Sequence, residues 1–341
     1  MVENGKQKSL KQSISTMFKK ENVVLGILLV SLVAGFAVMT GGALISIDGV
    51  NTVLTQSSIR GLAAIGQAFV VLTGNIDLSL YGIGILATLI GATTMTSKLH
   101  LNILGRVLPA YIGGPLILVV GLGMGAINGL LVSRVAIPSL IATLGMWWLS
   151  YGLAHHIGGG YTHTLFPPSL ALIGQTSIAG VRTPIIIFFV AIAVAYLVLH
   201  YTRFGRNVYA VGGNRVSAYL AGINVKLVEF MVFVISGFCA GVAALVLESR
   251  MMSAGIRNLR GLEIDSIAAV TVGGVSLFGG KGSIIGVLMG VLIIGVLDSS
   301  LSMLGASHEV INISKGAIII GAVSADQYFR SRNKSKMGFA T

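Results

Sequence analysis

Runs of about 20 mostly apolar residues recur along this chain, and they constrain its fold more than any other feature. A helix of that length crosses the ~30 Å hydrocarbon core of a membrane. Only 10% of the 341 residues are charged, whereas soluble domains average about 25%. The sequence therefore predicts an all-α polytopic membrane protein with about ten transmembrane helices. The predicted spans are 22–40, 51–72, 78–96, 109–132, 138–156, 184–201, 226–248, 264–279, 283–303 and 309–329.

The distribution of charge predicts how these spans are oriented. The formal net charge is +12, but the basic residues lie in loops and at both ends, which argues against nucleic acid as a partner. With ten spans and a cytoplasmic N-terminus, 15 Lys and Arg residues fall in cytoplasmic segments and 6 on the other side, as the positive-inside rule requires. We expect a cytoplasmic basic arm at 1–21, a transmembrane domain at 22–329 and a cytoplasmic basic tail at 330–341.

A polar island at 203–226 interrupts the apolar runs. It carries three arginines, one lysine, two glycine-containing breaks and a short helix-like piece at 216–221. The segment is too long for a simple turn, and the charge count assigns it to the cytoplasm. It therefore indicates a docking surface for another protein, although a solvated, positively charged loop is the alternative.

The chain also contains a weak internal repeat. A shift of 205 residues places Ile59 on Ile264, Ala63 on Ala268 and Gly74 on Gly279, and in both copies a polar, glycine-containing break separates two apolar runs. Paired interruptions of this kind are typical of the binding region of transporters. We therefore expect broken helices arranged with pseudo-symmetry.

The two breaks carry the polar residues expected near a translocation path. The first break, 73–79, holds Thr73, Asn75, Asp77 and Ser79, and a charge at membrane depth normally faces a cavity or a partner. Asp77 is equally well placed to cap the next helix, and both interpretations can hold. The second break, 279–283, is not a phosphate-binding loop because glycine follows Lys281, so we expect a tight turn between spans.

No group of residues predicts catalysis or metal binding. No paired catalytic constellation occurs, and His155, His156 and His163 lack Asp, Glu or Cys at metal-ligand spacing. We expect neither a metal nor a cofactor on this chain. Trp147 and Trp148 are expected near the membrane interface or against neighbouring helices, and stacking on a sugar inside the path is the alternative. Three arginines on the side opposite the island, Arg250, Arg257 and Arg260, are candidates for docking an acidic binding protein, or they are solvated loop charges.

Five motifs together resemble a known family of membrane proteins. They are TGNIDLS at 73–79, IPSLIATLG at 137–145, FGRNVYAVGGNRVSAYLAGINV at 204–225, LEIDSIAAVTVGGVSLFGGKGSIIG at 262–286, and the basic C-terminal tail. The chain resembles, over nearly its whole length, the permease subunits of ribose-type sugar ABC importers, which include galactose, xylose, arabinose and autoinducer-2 permeases.

The resemblance implies a bacterial inner-membrane protein and a set of partners. Two permease subunits, identical or different, would form the path between them for a small sugar. Separate cytoplasmic ATPase subunits would bind ATP and Mg²⁺, and an extracytoplasmic binding protein would deliver the substrate. The island would be the ATPase-coupling loop, and Arg206 and Arg215 would pair with acidic groups on the ATPase. The coupling residues would be Gly205, Arg206, Tyr209, Gly212, Gly213, Asn214, Arg215, Ala218 and Gly222. The path residues would be Thr73, Asn75, Asp77, Ser79 and Asp265.

One position departs from the family pattern, and other functions remain open. The family usually continues the first break as D-L-S-V-G-S, whereas Tyr81 stands here in place of a small residue. Its ring would either narrow the path or change the substrate preference, or it would face lipid. An autoinducer-2 importer is the alternative substrate class. An ion-coupled transporter, with Asp77, Asp265 and Asp298 as coupling carboxylates, is a second alternative. A membrane scaffold or enzyme is the third.

Overall fold

The computed structural model describes residues 22–98 and 101–336, which are predominantly helical. The longer helices are α1 (Asn22–Met39), α2 (Ile47–Leu72), α3 (Leu80–Met95), α4 (Ala110–Ser133), α5 (Ser139–Gly158), α7 (Thr183–Tyr201), α8 (Arg203–Gly213), α10 (Val225–Met251), α11 (Leu262–Val272), α12 (Ile284–Met303) and α13 (His308–Lys336). Shorter elements are α6 (Ala171–Gly174), α9 (Arg215–Leu220), 3-10 turns at Ala43–Ile45 and Pro168–Leu170, and a hairpin of β1 (Ser177–Ile178) and β2 (Val181–Arg182).

Each of the predicted spans coincides with a helix, so the prediction of a polytopic all-α membrane protein is confirmed. By length and apolar composition alone, α1, α4, α7, α10 and α12 are each able to cross a membrane. The predicted arm at 1–21 lies outside the described residues. The predicted boundary at 330 is not visible, because α13 continues without a break to Lys336.

The span predicted at 264–279 is wrong in its second half. Helix α11 ends at Val272, where Gly273 and Gly274 follow and Gly274 takes a φ of +78°. Glycine adopts this left-handed conformation at little cost, so two in a row end the helix. The chain then forms the tight turn expected of the second break, in which Ser276 N–H donates to the carbonyl of Lys281 at 3.0 Å. Helix α12 begins after Ser283, whose hydroxyl caps Gly286 N–H.

Glycines bring α4 and α10 into close contact at the centre of the bundle. A Cβ atom on Gly121 would lie 2.5 Å from the carbonyl oxygen of Gly237, and one on Gly125 would lie 3.0 Å from the Gly237 Cα. Small residues four apart on facing helices permit this backbone approach, which membrane helices use for packing. Helix α10 therefore lies at the centre of the bundle, and more than half of its residues are buried.

The internal repeat is visible in the packing of α2 against α11. Arg60 and Asp265 are equivalent under the 205-residue shift, and they form an ion pair with Nε and Oδ2 3.0 Å apart. Gly74 and Gly279 are also equivalent, and a Cβ on Gly279 would lie 2.7 Å from Gly74 N. Equivalent positions thus meet at two levels, so the two copies run side by side in the same direction. The first break and the second break therefore lie next to each other in the structure.

Helix α10 separates two functional ends of the bundle. Its 27 residues span roughly 40 Å at 1.5 Å per residue. The polar island joins its first residue, and we call that side the island end. Its last residue, Met251, leads into the loop 252–261, and we call that side the cavity end.

Candidate functional site

A cavity of about 830 Å³ opens at the cavity end, and we call it the aromatic cavity. Its wall combines the start of α3, one face of α5, the loop after α5 and the loop between α10 and α11. The lining residues are Tyr81, Trp147, Trp148, Tyr151, His155, Gly160, Tyr161, Thr162, Gly255, Ile256, Arg257, Asn258, Arg260, Gly261 and Glu263.

Helix α5 supplies the aromatic side of this cavity through a regular spacing. Trp147, Tyr151 and His155 are four residues apart, which places them one above another on one helix face. The rings of Trp147 and Tyr151 are stacked, with centroids 5.5 Å apart and an interplanar angle of 6°. As predicted, Trp147 packs against a neighbouring helix, where its ring contacts Tyr81 of α3, and both tryptophans also line the cavity.

Tyr81 extends the aromatic surface towards the centre of the bundle. Its side chain is 4% exposed, and its hydroxyl donates a hydrogen bond to the carbonyl of Ile256 at 2.7 Å. The ring lies 5.6 Å from that of Trp147. The alternative that Tyr81 faces lipid is therefore wrong. The neighbouring Gly82 permits this packing, because a Cβ there would lie 2.7 Å from the Trp147 carbonyl oxygen.

The opposite wall of the aromatic cavity is polar. It presents Arg257, Asn258, Arg260 and Glu263 from the loop after α10 and the start of α11. The Trp147 side chain hydrogen-bonds the Glu263 carboxylate, while Oε2 of Glu263 has no hydrogen-bond partner among the described residues. Two of the three arginines predicted to dock a binding protein thus line this cavity. The third, Arg250, lies beside a smaller adjoining cavity that shares Asn258 and Arg260 with the first.

The cavity wall is held together across its loops by His163. Its N–H and carbonyl groups pair with those of Ala254 at 2.8 and 2.9 Å, and its Nε2 lies 3.1 Å from the carbonyl oxygen of Gly158. The side chain is 1% exposed, and burial lowers the pKa of His163 below its usual 6.5. His163 is thus a neutral packing residue that fixes the loop 159–183 to the loop 252–261.

The first break leads from the island end to this cavity. Asp77 is fully buried, and its Oδ1 accepts Ser79 N–H at 2.9 Å and the Ser79 hydroxyl at 2.5 Å. Its Oδ2 accepts the Ser236 hydroxyl of α10 at 2.7 Å, and Asn128 of α4 donates to Ser79 at 2.7 Å. Asp77 thus fixes the turn that leads into α3, but the N-cap of that helix is Ser79, so the expectation that Asp77 caps it is wrong. Neither Asp77 nor Ser79 lines the cavities described above.

At the island end, the short helix predicted at 216–221 is confirmed as α9, but the prediction that the rest of the island is a loop is wrong. The island folds into two helices, α8 and α9, and α8 extends over the glycine pair expected to form a break. Thr202 caps α8 through Gly205 N–H at 3.1 Å, and Asn214 caps α9 through Ser217 N–H at 2.9 Å. Gly222 does form the expected turn, with a φ of +80°.

Helix α9 presents an apolar surface outward. Val216, Tyr219 and Leu220 are 68%, 71% and 78% exposed, whereas Ala218 is buried against the bundle. A groove of about 730 Å³ runs along this surface to Lys226. Three large apolar side chains projecting together from a helix that lies outside the apolar spans are typical of a contact site for another protein. Arg206 is exposed on the adjoining helix α8.

Both breaks meet α8 at one point, which we call the break junction. Gly280 N–H donates to the carbonyl of Leu72 at 2.9 Å, and Gly212 lies against both residues. A Cβ on Gly212 would lie 1.8 Å from the Leu72 carbonyl oxygen, whereas one on Gly213 would face open space. Tyr209 closes the junction by donating to the Gly282 carbonyl at 3.0 Å, and burial raises the pKa of Tyr209 to about 12.

A charged contact links α9 to the first break. Arg215 Nη2 lies 2.7 Å from Oε2 of Glu229, whose side chain is only 2% exposed. The Asn75 side chain hydrogen-bonds the same carboxylate and also donates to Thr73 Oγ1 at 3.0 Å. Arg215 was expected to pair with another protein. It is instead already paired with Glu229 inside this chain.

Four charged side chains form a compact cluster between α2, α11, α12 and α13, which we call the ionic quartet. Lys315 Nζ lies 3.1 Å from Asp265 Oδ1 and 3.0 Å from Asp298 Oδ1, and Arg60 pairs with both carboxylates. Two cations and two anions leave no net charge. Arg60 and Lys315 lie inside predicted spans, and a cation in a span signals a nearby carboxylate.

Comparison with known proteins gives a consistent result. Residues 49–323 match the family described as branched-chain amino acid transport system / permease component. The chain is 34% identical to a ribose import permease protein of Haemophilus influenzae, over 84% of this chain and 87% of that protein. It is 34% identical to a D-allose transport system permease protein of Escherichia coli, over 81% and 82%, and 33% identical to a fructose import permease protein of Rhizobium meliloti, over 90% and 85%. No solved structure gives a significant match.

Proposed function

Because this chain belongs to the family of branched-chain amino acid transport system permease components, we propose that it is the membrane-spanning permease subunit of an ATP-driven importer of a small sugar. The proposal rests on one observation: the same helix bundle carries two separate surfaces, one at each end. An aromatic cavity opens at one end, and an exposed apolar helix lies beside a groove at the other.

The energy source in this proposal is a separate ATPase that docks on α9. Val216, Tyr219 and Leu220 would enter a cleft on the ATPase, and exposed Arg206 would pair with an acidic group there. ATP and Mg²⁺ would bind to the ATPase. This arrangement assigns the island end to the cytoplasm of a bacterial inner membrane, in agreement with the excess of positive charge in the segments assigned to that side.

At the opposite end, an extracytoplasmic binding protein would deliver the sugar over the aromatic cavity. Arg257 and Arg260 line that cavity, so they would contact the delivered sugar or an acidic edge of the binding protein. A second permease subunit would close the open side, where Trp148 is 65% exposed. The substrate class follows the relatives, whose names specify ribose, D-allose and fructose.

The ionic quartet argues against the ion-coupled alternative. A coupling carboxylate must bind and release a proton or sodium ion during transport. Asp265 and Asp298 are each held by both Arg60 and Lys315, so two resident cations already occupy the place of a coupling ion.

Transport in proteoliposomes tests the proposal. The permease would be reconstituted with its ATPase and binding protein, and uptake of radiolabelled D-ribose, D-allose and D-fructose would be measured. We expect uptake of at least one sugar to require ATP on the island side and to persist when ionophores collapse ion gradients. Replacing 216–221 with a Gly/Ser loop should abolish ATP-dependent uptake while the melting temperature of the permease stays within a few degrees. Uptake driven by an ion gradient without ATP contradicts the proposal.

A further inference from the structure

Resting on the proposed function, we infer that the aromatic cavity is a sugar-binding subsite of the permease itself, in which one face of a monosaccharide ring packs against the aromatic wall formed by Trp147, Trp148, Tyr151 and Tyr81. The permease would then select its substrate as well as conduct it. From the sequence, stacking of a sugar on the tryptophans was only an alternative.

The geometry of the aromatic side suits the apolar face of a sugar. A monosaccharide ring carries C–H groups on its faces and hydroxyls around its edge. The stacked pair of Trp147 and Tyr151 lines this side of the cavity, and Tyr81 adds a further ring to the same wall. The electron-rich face of an aromatic ring attracts polarised C–H groups. The wall is also fixed before binding, because Tyr81 is held by the Ile256 carbonyl.

The polar wall suits the hydroxyl edge of the same ring. Arg257, Asn258 and Arg260 offer donors, and Glu263 offers a buried carboxylate oxygen without a partner among the described residues. A buried acceptor without a hydrogen bond costs free energy, so a bound hydroxyl that donates to it is favoured. A cavity of about 830 Å³ lies within the usual ~300–1,000 Å³ range of small-molecule sites and leaves room for water around a single sugar.

Fluorescence offers a direct readout, because the chain contains only two tryptophans and both line the cavity. Purified permease in nanodiscs would be titrated with D-ribose, D-allose or D-fructose, and separately with L-leucine. We expect a saturable change in tryptophan emission with at least one sugar and none with L-leucine. Equilibrium binding of the same radiolabelled ligands would be measured in parallel, so that a spectrally silent binding event is still detected.

Variants separate stacking from indirect effects. Tyr151→Leu should weaken sugar binding by about two- to twelvefold, since an aromatic contact contributes about 0.5–1.5 kcal/mol. Glu263→Gln keeps the side-chain size and should weaken binding through the lost carboxylate. The matched control is Tyr111→Leu, because Tyr111 is 78% exposed on α4 and lines no described cavity. Its binding constant should equal that of the wild type.

The inference is overturned if none of the three sugars binds the permease, if L-leucine binds as well as the sugars, or if Tyr151→Leu binds no more weakly than Tyr111→Leu. Failure here is distinguishable from failure of the proposed function. ATP-driven sugar uptake by a permease that shows no sugar binding removes the subsite alone. Sugar binding without ATP-driven uptake supports the subsite and contradicts the importer.

Discussion

At the scale of single residues, the ionic quartet is the largest concentration of charge in the described part of the bundle. Asp298 and Lys315 have side chains only 8% and 10% exposed, and Arg60 reaches them from α2. Charges taken out of water cost several kcal/mol each unless they are paired. The balance of two cations and two anions is therefore what makes the cluster tolerable.

The quartet predicts a strong effect when one charge is removed. Lys315→Met should lower the free energy of unfolding by about 3 kcal/mol, because Asp265 and Asp298 would then share a single cation. Thermal unfolding in detergent, followed by circular dichroism, measures the change. Lys226→Met serves as the control, since Lys226 is exposed at the island end.

A second substitution tests whether charge balance is the cause. Adding Asp298→Asn to Lys315→Met leaves one cation and one anion, so part of the lost stability should return. If the double variant is less stable than the single one, packing rather than charge balance explains the effect.

At the scale of elements, the break junction fixes helix α8 to both broken segments. Gly212 is the contact point. A glycine is required there because the backbones of Leu72 and Gly280 approach closely, and not because the chain turns. Gly213 is its neighbour in the same helix but faces open space. This pair of adjacent glycines gives a matched comparison.

We predict that Gly212→Ala destabilises the permease by about 1–3 kcal/mol, since its Cβ would collide with backbone atoms of Leu72 and Gly280 that cannot swing away. Gly213→Ala should be neutral or slightly stabilising, because alanine favours the helix over glycine. Thermal unfolding of both variants measures the difference. Equal melting temperatures would show that α8 does not pack against the breaks.

Helices were predictable from the sequence where their evidence is local. The apolar runs predicted the position of each span. The end of α11 was predicted too late in the chain, because Val275 and Leu277 continue the apolar run beyond Gly273 and Gly274, where the helix ends. In the island, Gly212 and Gly213 suggested a turn. They lie in a helix because contact with distant residues, Leu72 and Gly280, decides their role.

The aromatic cavity was not predicted because its two walls come from distant parts of the chain. Tyr81 and Glu263 are far apart in sequence and line opposite walls of one cavity only after folding. A local signal was present on α5, where aromatic rings at 147, 151 and 155 follow the helical period. That spacing predicts a shared face, but not what the face contacts.

At the scale of the whole molecule, a short path of contacts joins the two functional ends. Arg215 on α9 pairs with Glu229, Glu229 is hydrogen-bonded by Asn75, and six residues further along the chain Tyr81 lines the aromatic cavity. Asp77 holds the intervening segment to α10 through Ser236. A shift of α9 would thus be transmitted to the cavity wall through the first break.

This arrangement predicts that ATPase docking changes the environment of the cavity tryptophans. The ATPase tryptophans would be replaced by phenylalanine, so that only Trp147 and Trp148 emit. In this assembled transporter, a non-hydrolysable ATP analogue should shift the tryptophan emission. Glu229→Gln weakens the contacts to Arg215 and Asn75 while keeping the side-chain shape, so it should reduce the shift by at least half. Gly316→Ala is the control, because a Cβ there meets no atom within 4 Å.

Linkage gives the reciprocal test. If docking at α9 alters the cavity, then sugar in the cavity must alter ATPase affinity by the same factor. Glu229→Gln should therefore reduce both effects together, as measured by emission and by ATPase binding to permease nanodiscs with and without D-ribose, D-allose or D-fructose. A full emission shift in Glu229→Gln would mean that the two ends communicate by another route, with α10 itself as the remaining continuous element between them.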